Sequence, residues 1–529
     1  MVKVELYDTT LRDGAQSEGI SFSVVDKLHI AQRVDELGVH YIEGGWPGAN
    51  PKDDEFFRRA AELKLTSARL VAFGSTRRPE TKAEDDAILA ALCTSGTDVI
   101  TIVGKASAPQ VTQVLETSLE ENLAMVTDSI KFLKSRGLEV FFDAEHFFDG
   151  YKENTEYALK VCRVAAEAGA SCLVLCDTNG GSLPHEVMEA IEDLKKVTDA
   201  PLGIHAHNDA ELGVANTLAA VAGGVVQVQG TINGYGERCG NANLCSIIPA
   251  LKLKMGIDCV SDEQLARLSE VAHYVSEVAN LSPDPFMPYV GSSAFSHKAG
   301  LHVSGMNKWS KSYQHVDPSL VGNQPKTLVS ELSGRTNILQ RAKEIGVELP
   351  AKGKEVKWLL DQVKLLESRG FHYEQAAASF DLMVHRAQPG YKPPFELVDF
   401  MVIVENKRRL GTKGEEDMLA EAMVKVRVGN EVMHTAAEVN GPVNALDSAL
   451  RKGLLEFYPS LSCVKLVDYK VRILEESVGT GAQVRVLIES SDGEEEWHTV
   501  GSSANIIEAS WLALADSLEY WLLKHPHSR

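Results

Sequence analysis

The N-terminal half of the chain alternates between short apolar runs and segments of helical periodicity, and this alternation restricts the possible folds severely. Eight apolar runs occur, and each is followed by a segment that predicts a helix. Eight strand–helix units within about 250 residues are typical of a (β/α)8 barrel. The runs cover residues 4–10, 41–45, 69–75, 98–105, 139–146, 172–178, 202–209 and 225–234.

A doubly wound open sheet is the alternative arrangement for such alternation. It is disfavoured because no G-x-G-x-x-G motif follows the first apolar run. Several helical segments end in glycine directly after their last turn, as helices commonly do; examples are 24–38, 119–137 and 154–169. The sequence therefore predicts an α/β protein with a TIM barrel over residues 1–275.

The rest of the chain follows a different plan. A segment rich in Pro, Gly, Ser and His leads into helices, and AQPGYKPPFEL (387–397) predicts a linker because clustered proline and glycine oppose regular structure. We assign residues 276–390 to helical linker subdomains. Residues 391–529 contain a repeat: 429–454 and 492–518 each predict a turn, a His-Thr strand, an asparagine and an amphipathic helix. This duplicated α+β domain carries no acid–base cluster, so we expect it to sense a ligand or to dimerise.

Bulk properties exclude several classes of function. The net charge of −21, from 53 Lys+Arg and 74 Asp+Glu, argues against a nucleic-acid partner because phosphate binding needs a basic surface. No apolar run is long enough to span a bilayer, and the opening residues lack the pattern of a signal peptide. The absence of a bilayer-spanning run predicts no membrane partner. The eight cysteines contain no CxxC pair, which favours reduced thiols in a cytoplasmic protein.

Polar residues cluster where the predicted strands end, which is where TIM barrels place catalytic groups. We therefore expect a shared pocket built from the ends of several strands and the loops after them. The candidates are Arg12, Asp13, Glu43, Asp143, Glu145, Thr178, His205, His207 and Asn241.

The H-x-H pair within GIHAHNDAELG is the candidate metal site. Alternate residues of a strand face the same side, so His205 and His207 point together into the barrel mouth. Asp13 can complete a facial set of two imidazoles and one carboxylate, which leaves positions open for substrate oxygens. Two histidines in this pattern also occur without a metal, as ordinary core or surface residues.

Other polar residues have two possible roles each. Arg12 either stabilises an enolate or oxyanion beside the metal or forms an ordinary surface pair. Glu145 is a general base or a structural acid, and Thr178 holds a carboxylate or caps a helix. His297 and His302 follow the barrel and are either loop residues or are delivered to the active site.

Several longer motifs resemble a known family. LYDTTLRDGAQ, GIHAHNDAELGVANTLAAVAGG and GYGERCGNANL resemble the signatures of the DRE-TIM metallolyases, a superfamily of Claisen-type enzymes. AGLHVSGMNK and YQHVDPSLVGN resemble the linker of its synthase branch, which includes 2-isopropylmalate, homocitrate and citramalate synthases. IEGGWPGANPKDDEFF (42–57) is most similar to a bacterial group of citramalate synthases, and the C-terminal repeat resembles the branch's amino-acid-sensing dimer domain.

The resemblance implies a divalent metal (Mn, Mg, Zn or Co) and assigns roles to matching residues. It implies that Arg12 polarises the ketone of a 2-keto acid that Thr178 also contacts, and that Glu145 and His302 act in acid–base steps. The implied metal ligands are Asp13, His205, His207 and Asn241, and the implied further substrate-binding residues are Glu43 and Tyr313.

The implied reaction condenses acetyl-CoA with pyruvate and water to (R)-citramalate and CoA, the first step of a pyruvate route to isoleucine. The resemblance also implies a homodimer with isoleucine as effector. Three alternatives stay open at this point: a 2-isopropylmalate synthase or other acetyl-CoA/2-keto acid synthase, a carbon–carbon lyase of the same superfamily, and an amino-acid-binding regulatory protein without catalysis. Such lyases usually lack the C-terminal repeat, which this chain has.

Overall fold

The eight apolar runs form eight parallel strands, which close into one barrel in the computed structural model of the chain. Each strand pairs with the next along the sequence, and β8 pairs with β1 to complete the ring. The strands are β1 (Glu5–Asp8), β2 (Tyr41–Gly45), β3 (Arg69–Ser75), β4 (Val99–Lys105), β5 (Glu139–Glu145), β6 (Cys172–Asp177), β7 (Leu202–Ala206) and β8 (Gln227–Gly230).

Helices follow the barrel strands, and the predicted (β/α)8 fold is confirmed. Local sequence fixes their ends: Ser23 and Asp26 form a capping box at the start of α1, and Gly169, at φ 103°, terminates α6. The helices are α1 (Val24–Glu36), α2 (Pro51–Ala60), α3 (Ala87–Cys93), α4 (Leu119–Ser135), α5 (Phe147–Glu153), α6 (Thr155–Ala168), α7 (Pro184–Leu194), α8 (Gly213–Ala222), α9 (Leu244–Leu253), α10 (Asp262–Leu265) and α11 (Leu268–Val278).

The structure describes residues 3–297, 300–327, 335–350, 353–373, 376–405, 419–474 and 482–525. The chain divides into two compact units, one of residues 1–295 with 315–325 and the other of 296–314 with 326–529. The domain boundaries drawn from the sequence, 1–275, 276–390 and 391–529, stay predictions. No helix within the described ranges is long and apolar enough to cross a membrane.

Two apolar layers hold the barrel together. Alternate strand residues such as Tyr7, Val99 and Phe141 fill its interior, while their neighbours such as Ile100 and Phe142 pack beneath the helices. Strands covered on both faces account for the continuous apolar runs in the sequence. All eight cysteines lie in described parts of the chain and are free.

The last two barrel strands are shorter than the runs that predicted them. β7 ends at Ala206 and β8 at Gly230, and the chain beyond each strand bends into the rim. His207 forms an isolated bridge with Asn241. The polar ends of the two runs therefore form the mouth of the barrel and not its wall.

The second unit contains two three-stranded antiparallel sheets, in the order β11-β12-β13 and β14-β15-β16. A short parallel pair and a helical segment precede them in the chain. The elements are β9 (Ser296–His297), α12 (Gly300–Lys308), β10 (Lys326–Thr327), α13 (Arg335–Glu344), α14 (Lys354–Ser368), α15 (Ala377–Arg386), β11 (Glu396–Glu405), β12 (Leu419–Val428), β13 (Glu431–Asn440), α16 (Pro442–Leu454), β14 (Lys465–Ile473), β15 (Val484–Ser491), β16 (Glu496–Ser503) and α17 (Ile506–Lys524).

The two sheets repeat one plan, as the sequence predicted. In each half the threonine of the His-Thr strand donates to a helix carbonyl fourteen positions on: Thr435 to Ala449 and Thr499 to Ala513, both at 2.7 Å. The two asparagines of the repeat differ in role. Asn505 caps α17, whereas Asn444 lies inside α16.

Candidate active site

A cavity of about 420 Å³ opens at the carboxyl ends of the barrel strands. Its wall is formed by strand ends and by the loops that follow them, as expected for this fold. The residues of the sequence-based site that line it are Arg12, Asp13, Asp143, Glu145, Thr178, His205 and His207.

Asp13, His205 and His207 form a compact donor cluster. Each residue offers one ligand atom, and these atoms all lie within 4.8 Å of one another. Asp13 Oδ2 is 3.1 Å from His205 Nε2, and the two imidazole rings are 5.4 Å apart. The structure therefore brings together the carboxylate and the two histidines that the sequence placed on separate strand ends.

Asn241 lies against the same cluster. Its Nδ2 donates to Asp13 Oδ2 at 2.8 Å and is 3.2 Å from His205 Nε2. Gly236 permits this position, because a Cβ there would come within 1.9 Å of Asn241 Oδ1. Asn241 presents its nitrogen to Asp13 in this arrangement, so its role as a metal ligand stays a prediction.

The charge states of Asp13 and His207 suit a divalent cation. Burial opposes ionisation of Asp13, but the Arg12 charge holds its pKa well below the usual range. Burial and the nearby His205 lower the pKa of His207 to about 4, so this imidazole is neutral at physiological pH. An ionised carboxylate and a neutral imidazole are the forms that bind metals.

Two buried atoms of this cluster have no hydrogen-bond partner within the described structure. They are His207 Nδ1 and Asn241 Oδ1. Buried polar atoms are usually satisfied, and an unpaired one costs about 1–3 kcal/mol. The residues present therefore fit a metal ion, which would take up lone pairs that the protein leaves free.

Arg12 is held from three sides. Its Nε donates to Glu43 Oε1 at 2.5 Å, its Nη1 is 3.3 Å from Asp13 Oδ1, and its guanidinium lies 3.9 Å from the centre of the Phe73 ring. Glu43 is fully buried, its other oxygen accepts from Tyr7 at 2.6 Å, and it is absent from the cavity wall. The geometry supports Glu43 as the anchor of Arg12, and its predicted contact with substrate stays a prediction.

Glu145 forms an ion pair with Lys105 across the cavity wall. The two residues are register partners at the ends of β5 and β4. Lys105 is absent from the candidates that the sequence predicted. The signal was present, since Lys105 shares the inward parity of Val99, which fills the barrel interior.

Thr178 ties neighbouring loops together. Its hydroxyl accepts from the His146 amide at 2.9 Å, and its carbonyl accepts from Arg238 at 2.7 Å. The alternative helix-capping role is wrong, because the following helix begins at Pro184. Arg238 also pairs with Asp209 at 2.8 Å, which closes this side of the rim.

His302 and Tyr313 belong to the second unit. Their rings stack with centroids 4.2 Å apart, and His297 lies 6.3 Å from His302. The three residues form a local aromatic cluster. The predicted parts of His302 in proton transfer and of Tyr313 in substrate binding stay predictions.

Asp143 is a second buried acid of the cavity, with 3% of its surface exposed. Burial raises its pKa from 3.8 to about 7, against the opposing effect of the His205 charge. This carboxyl therefore exchanges its proton close to neutral pH, unlike Asp13, which lines the same cavity.

Three family models match the chain in order. The HMGL-like model matches residues 3–275, the homocitrate synthase post-HMGL domain-like model 289–370, and the LeuA allosteric (dimerisation) domain 374–522. An (R)-citramalate synthase of Geobacter sulfurreducens is 53% identical over 99% of this chain and 98% of the relative. An (R)-citramalate synthase of Aquifex aeolicus is 52% identical with the same coverage. Among solved structures, a Bacillus subtilis HMG-CoA lyase is 20% identical, with a TM-score of 0.45, over 54% of this chain and 96% of that chain.

Replacing His207 tests the donor cluster. We expect His207→Ala to lower the affinity for divalent metal by at least about tenfold, because even changes to the outer partners of metal ligands cost 10–100-fold. Metal analysis after equilibrium dialysis measures the change. His185→Ala, at an exposed position of α7, is the control and should bind metal as the wild type does. Unchanged metal content in His207→Ala would contradict the site.

The raised pKa of Asp143 predicts how stability depends on pH. Between pH 3.8 and about 7 the folded chain keeps a proton on Asp143 that the unfolded chain has lost, so the free energy of unfolding falls as pH rises through that window. Asp143→Asn should flatten this fall in urea unfolding of the metal-free protein. Some slope should remain, because burial also raises the pKa of Asp8 to about 7. Asp199→Asn, at an exposed position, is the control; equal slopes for wild type and Asp143→Asn would refute the assignment.

Proposed function

The chain belongs to the HMGL-like family and, within it, to the (R)-citramalate synthases, and from this premise we propose how its barrel cavity works. The reaction joins acetyl-CoA to pyruvate and, with water, gives (R)-citramalate and CoA. The observation that carries the proposal is the cluster of Asp13, His205 and His207 beside Arg12, in a cavity at the strand ends of a barrel. This set provides a candidate metal site and a fixed positive charge, both of which serve a Claisen condensation onto a 2-keto acid.

We assign the metal site to Asp13, His205 and His207, with Asn241 as a fourth donor. A divalent cation there, Mn, Mg, Zn or Co, would act as a Lewis acid toward the keto and carboxylate oxygens of pyruvate. The protein holds these ligand side chains in place before substrate binds. Asp13 is fixed by Arg12 and Asn241, and His205 by the contact with Asp13.

Arg12 binds the keto acid and stabilises the negative charge that develops on the ketone oxygen. A guanidinium fixed in advance does this without reorganising during the reaction, and removing one such donor typically costs about 10²–10³-fold in rate. Glu43 and Phe73 supply that rigidity through the salt bridge and the ring contact. We assign the pyruvate carboxylate to Thr178, which lines the same cavity as Arg12.

Glu145 and His302 are the groups we assign to proton transfer. A base removes a proton from the acetyl methyl group, and the resulting enolate carbon attacks the ketone carbon of pyruvate. The ketone oxygen takes up a proton to become the tertiary hydroxyl. Water then cleaves the thioester, which yields the second carboxylate and releases CoA. Lys105 keeps the Glu145 carboxylate directed along the cavity wall.

The C-terminal domain is proposed to dimerise and to sense isoleucine. Its match to the LeuA allosteric (dimerisation) domain supports this, and so do exposed apolar side chains on one edge strand of each sheet. Such side chains are typical of surfaces that a second protein chain covers. They are Val398, Met401, Ile403 and Val404 on β11, and Leu466, Val467, Val471 and Ile473 on β14.

A panel of keto acids tests the reaction. We expect thiol release from acetyl-CoA to be fastest with pyruvate and at least about tenfold slower with 2-ketoisovalerate or 2-ketoglutarate, since pocket shape alone discriminates small apolar groups by about 10–200-fold. Detection of free CoA measures the rates. Turnover of 2-ketoisovalerate without pyruvate activity would indicate a 2-isopropylmalate synthase instead. Amino-acid binding without any turnover would indicate a regulatory protein.

The assembly and its effector are tested separately. Light scattering should give about twice the chain mass of 57.6 kDa. Val404→Glu combined with Ile473→Glu should shift the mass toward the monomer, whereas Val197→Glu, an exposed valine before β7, should not. Isoleucine should slow CoA release more than valine or leucine at equal concentration. A monomeric wild type, or equal effects of the three amino acids, would contradict the assignment.

A further inference from the structure

The barrel interior contains a buried polar layer directly beneath the donor cluster. Gln227 and Gln229 lie on β8 with Asp143 opposite, and 1%, 0% and 3% of their surfaces are exposed, respectively. Apolar side chains fill this position in most such barrels. Burying uncharged amides there is costly unless they are hydrogen-bonded, and Gln227 Nε2 has no partner among the described residues. Because burying these polar groups costs free energy of folding, we ask what function the layer serves.

Gln229 links this layer to the metal site. It is the register partner of His205 on the neighbouring strand, and its Oε1 lies 2.8 Å from His205 Nδ1. Its Nε2 faces Asp143 Oδ1 at 3.4 Å and Gln227 Oε1 at 3.3 Å. The amide nitrogen of Gln229 thus donates to both oxygens, and its amide oxygen is directed to His205.

This orientation decides which nitrogen of His205 carries a proton. An amide oxygen only accepts, so His205 Nδ1 must donate to it. The other nitrogen, Nε2, is the one that faces Asp13 and Asn241. A histidine ligand binds a metal through the nitrogen that is not protonated, and a partner on the other nitrogen fixes this choice.

We propose that Gln229 is a positioning residue for the metal site: its amide oxygen keeps the proton of His205 on Nδ1 and so leaves Nε2 for the cation. Asp143 supports this role, because it accepts from the amide nitrogen of Gln229 and so opposes rotation of the amide by 180°. This inference rests on the proposed metal-dependent function. Gln229 touches neither substrate nor cation, and it acts through the imidazole.

Metal affinity is the direct measurement. The metal-free full chain is titrated with Co²⁺ alone in competition with a coloured chelator. Gln229→Met keeps the size of the side chain and removes the acceptor, so we expect it to weaken Co²⁺ binding by about 10–100-fold. Added metal should restore its activity, with the KM for pyruvate and for acetyl-CoA unchanged. A residue that only packs the core would lower the melting temperature and leave Co²⁺ affinity as in the wild type.

Two further variants sharpen the test. Gln229→Glu combined with Asp143→Asn reverses the second hydrogen bond and preserves the first, because the introduced carboxylate would accept both from His205 and from the introduced amide. This double variant should bind Co²⁺ within about threefold of the wild type, against the loss of about 10–100-fold in Gln229→Met. Gln227→Met is the matched control: it lies on the same strand and face, contacts Gln229 but not His205, and should also bind as the wild type does.

The outcomes distinguish failure of the positioning role of Gln229 from failure of the proposed metal-dependent function. Co²⁺ binding by the wild type with equal affinity in Gln229→Met would overturn the positioning role and leave the metal site standing. If Gln229→Met does not fold, the double variant decides, and a tenfold or larger loss of affinity there would also overturn the proposal. A wild-type chain that bound no Co²⁺ would refute the metal site and the positioning role together.

Discussion

The hydrogen bonds between β1 and β8 are the constraint on which the site depends. They close the ring of strands, with Tyr7 beside Gln229 and the Thr9 amide donating to the Gly230 carbonyl at 2.9 Å. Without this seam, the loop after the first strand would not meet the loop after the last. Asn241 contacts Asp13 across 228 residues of sequence, so the donor cluster exists only because the sheet is closed.

The interior of the barrel shows how stability and function are separated along the strands. The lower part is filled by apolar side chains such as Val99 and Phe141, which gain free energy from burial. The upper part is filled by buried polar chains, Arg12 with Glu43 and His205 with Gln229. Polar networks in a core cost more than apolar packing unless every member is satisfied. Here they hold side chains of the candidate site in place by hydrogen bonds, which an apolar core cannot provide.

The second unit contains two copies of one strand–helix module. The matching Thr435–Ala449 and Thr499–Ala513 bonds fix each helix on its sheet in the same way. Both sheets also have a register irregularity at the equivalent place in their edge strands, between Leu397 and Asp399 and between Leu466 and Asp468. Two copies of one module thus give two similar edges, which suits a symmetric assembly.

The sequence by itself determined the fold class, the duplicated domain and the candidate donor residues, because these depend on local periodicity and on motif chemistry. Strand parity alone was enough to place His205 and His207 on one face. It did not reveal that Lys105 pairs with Glu145, that Glu43 is buried beneath Arg12, or that the amide of Gln229 contacts His205. Those contacts join residues on different strands, and their geometry is decided by the register and closure of the barrel. Orientation of a side chain within a packed interior is a property of all its neighbours, so only the tertiary structure could decide it.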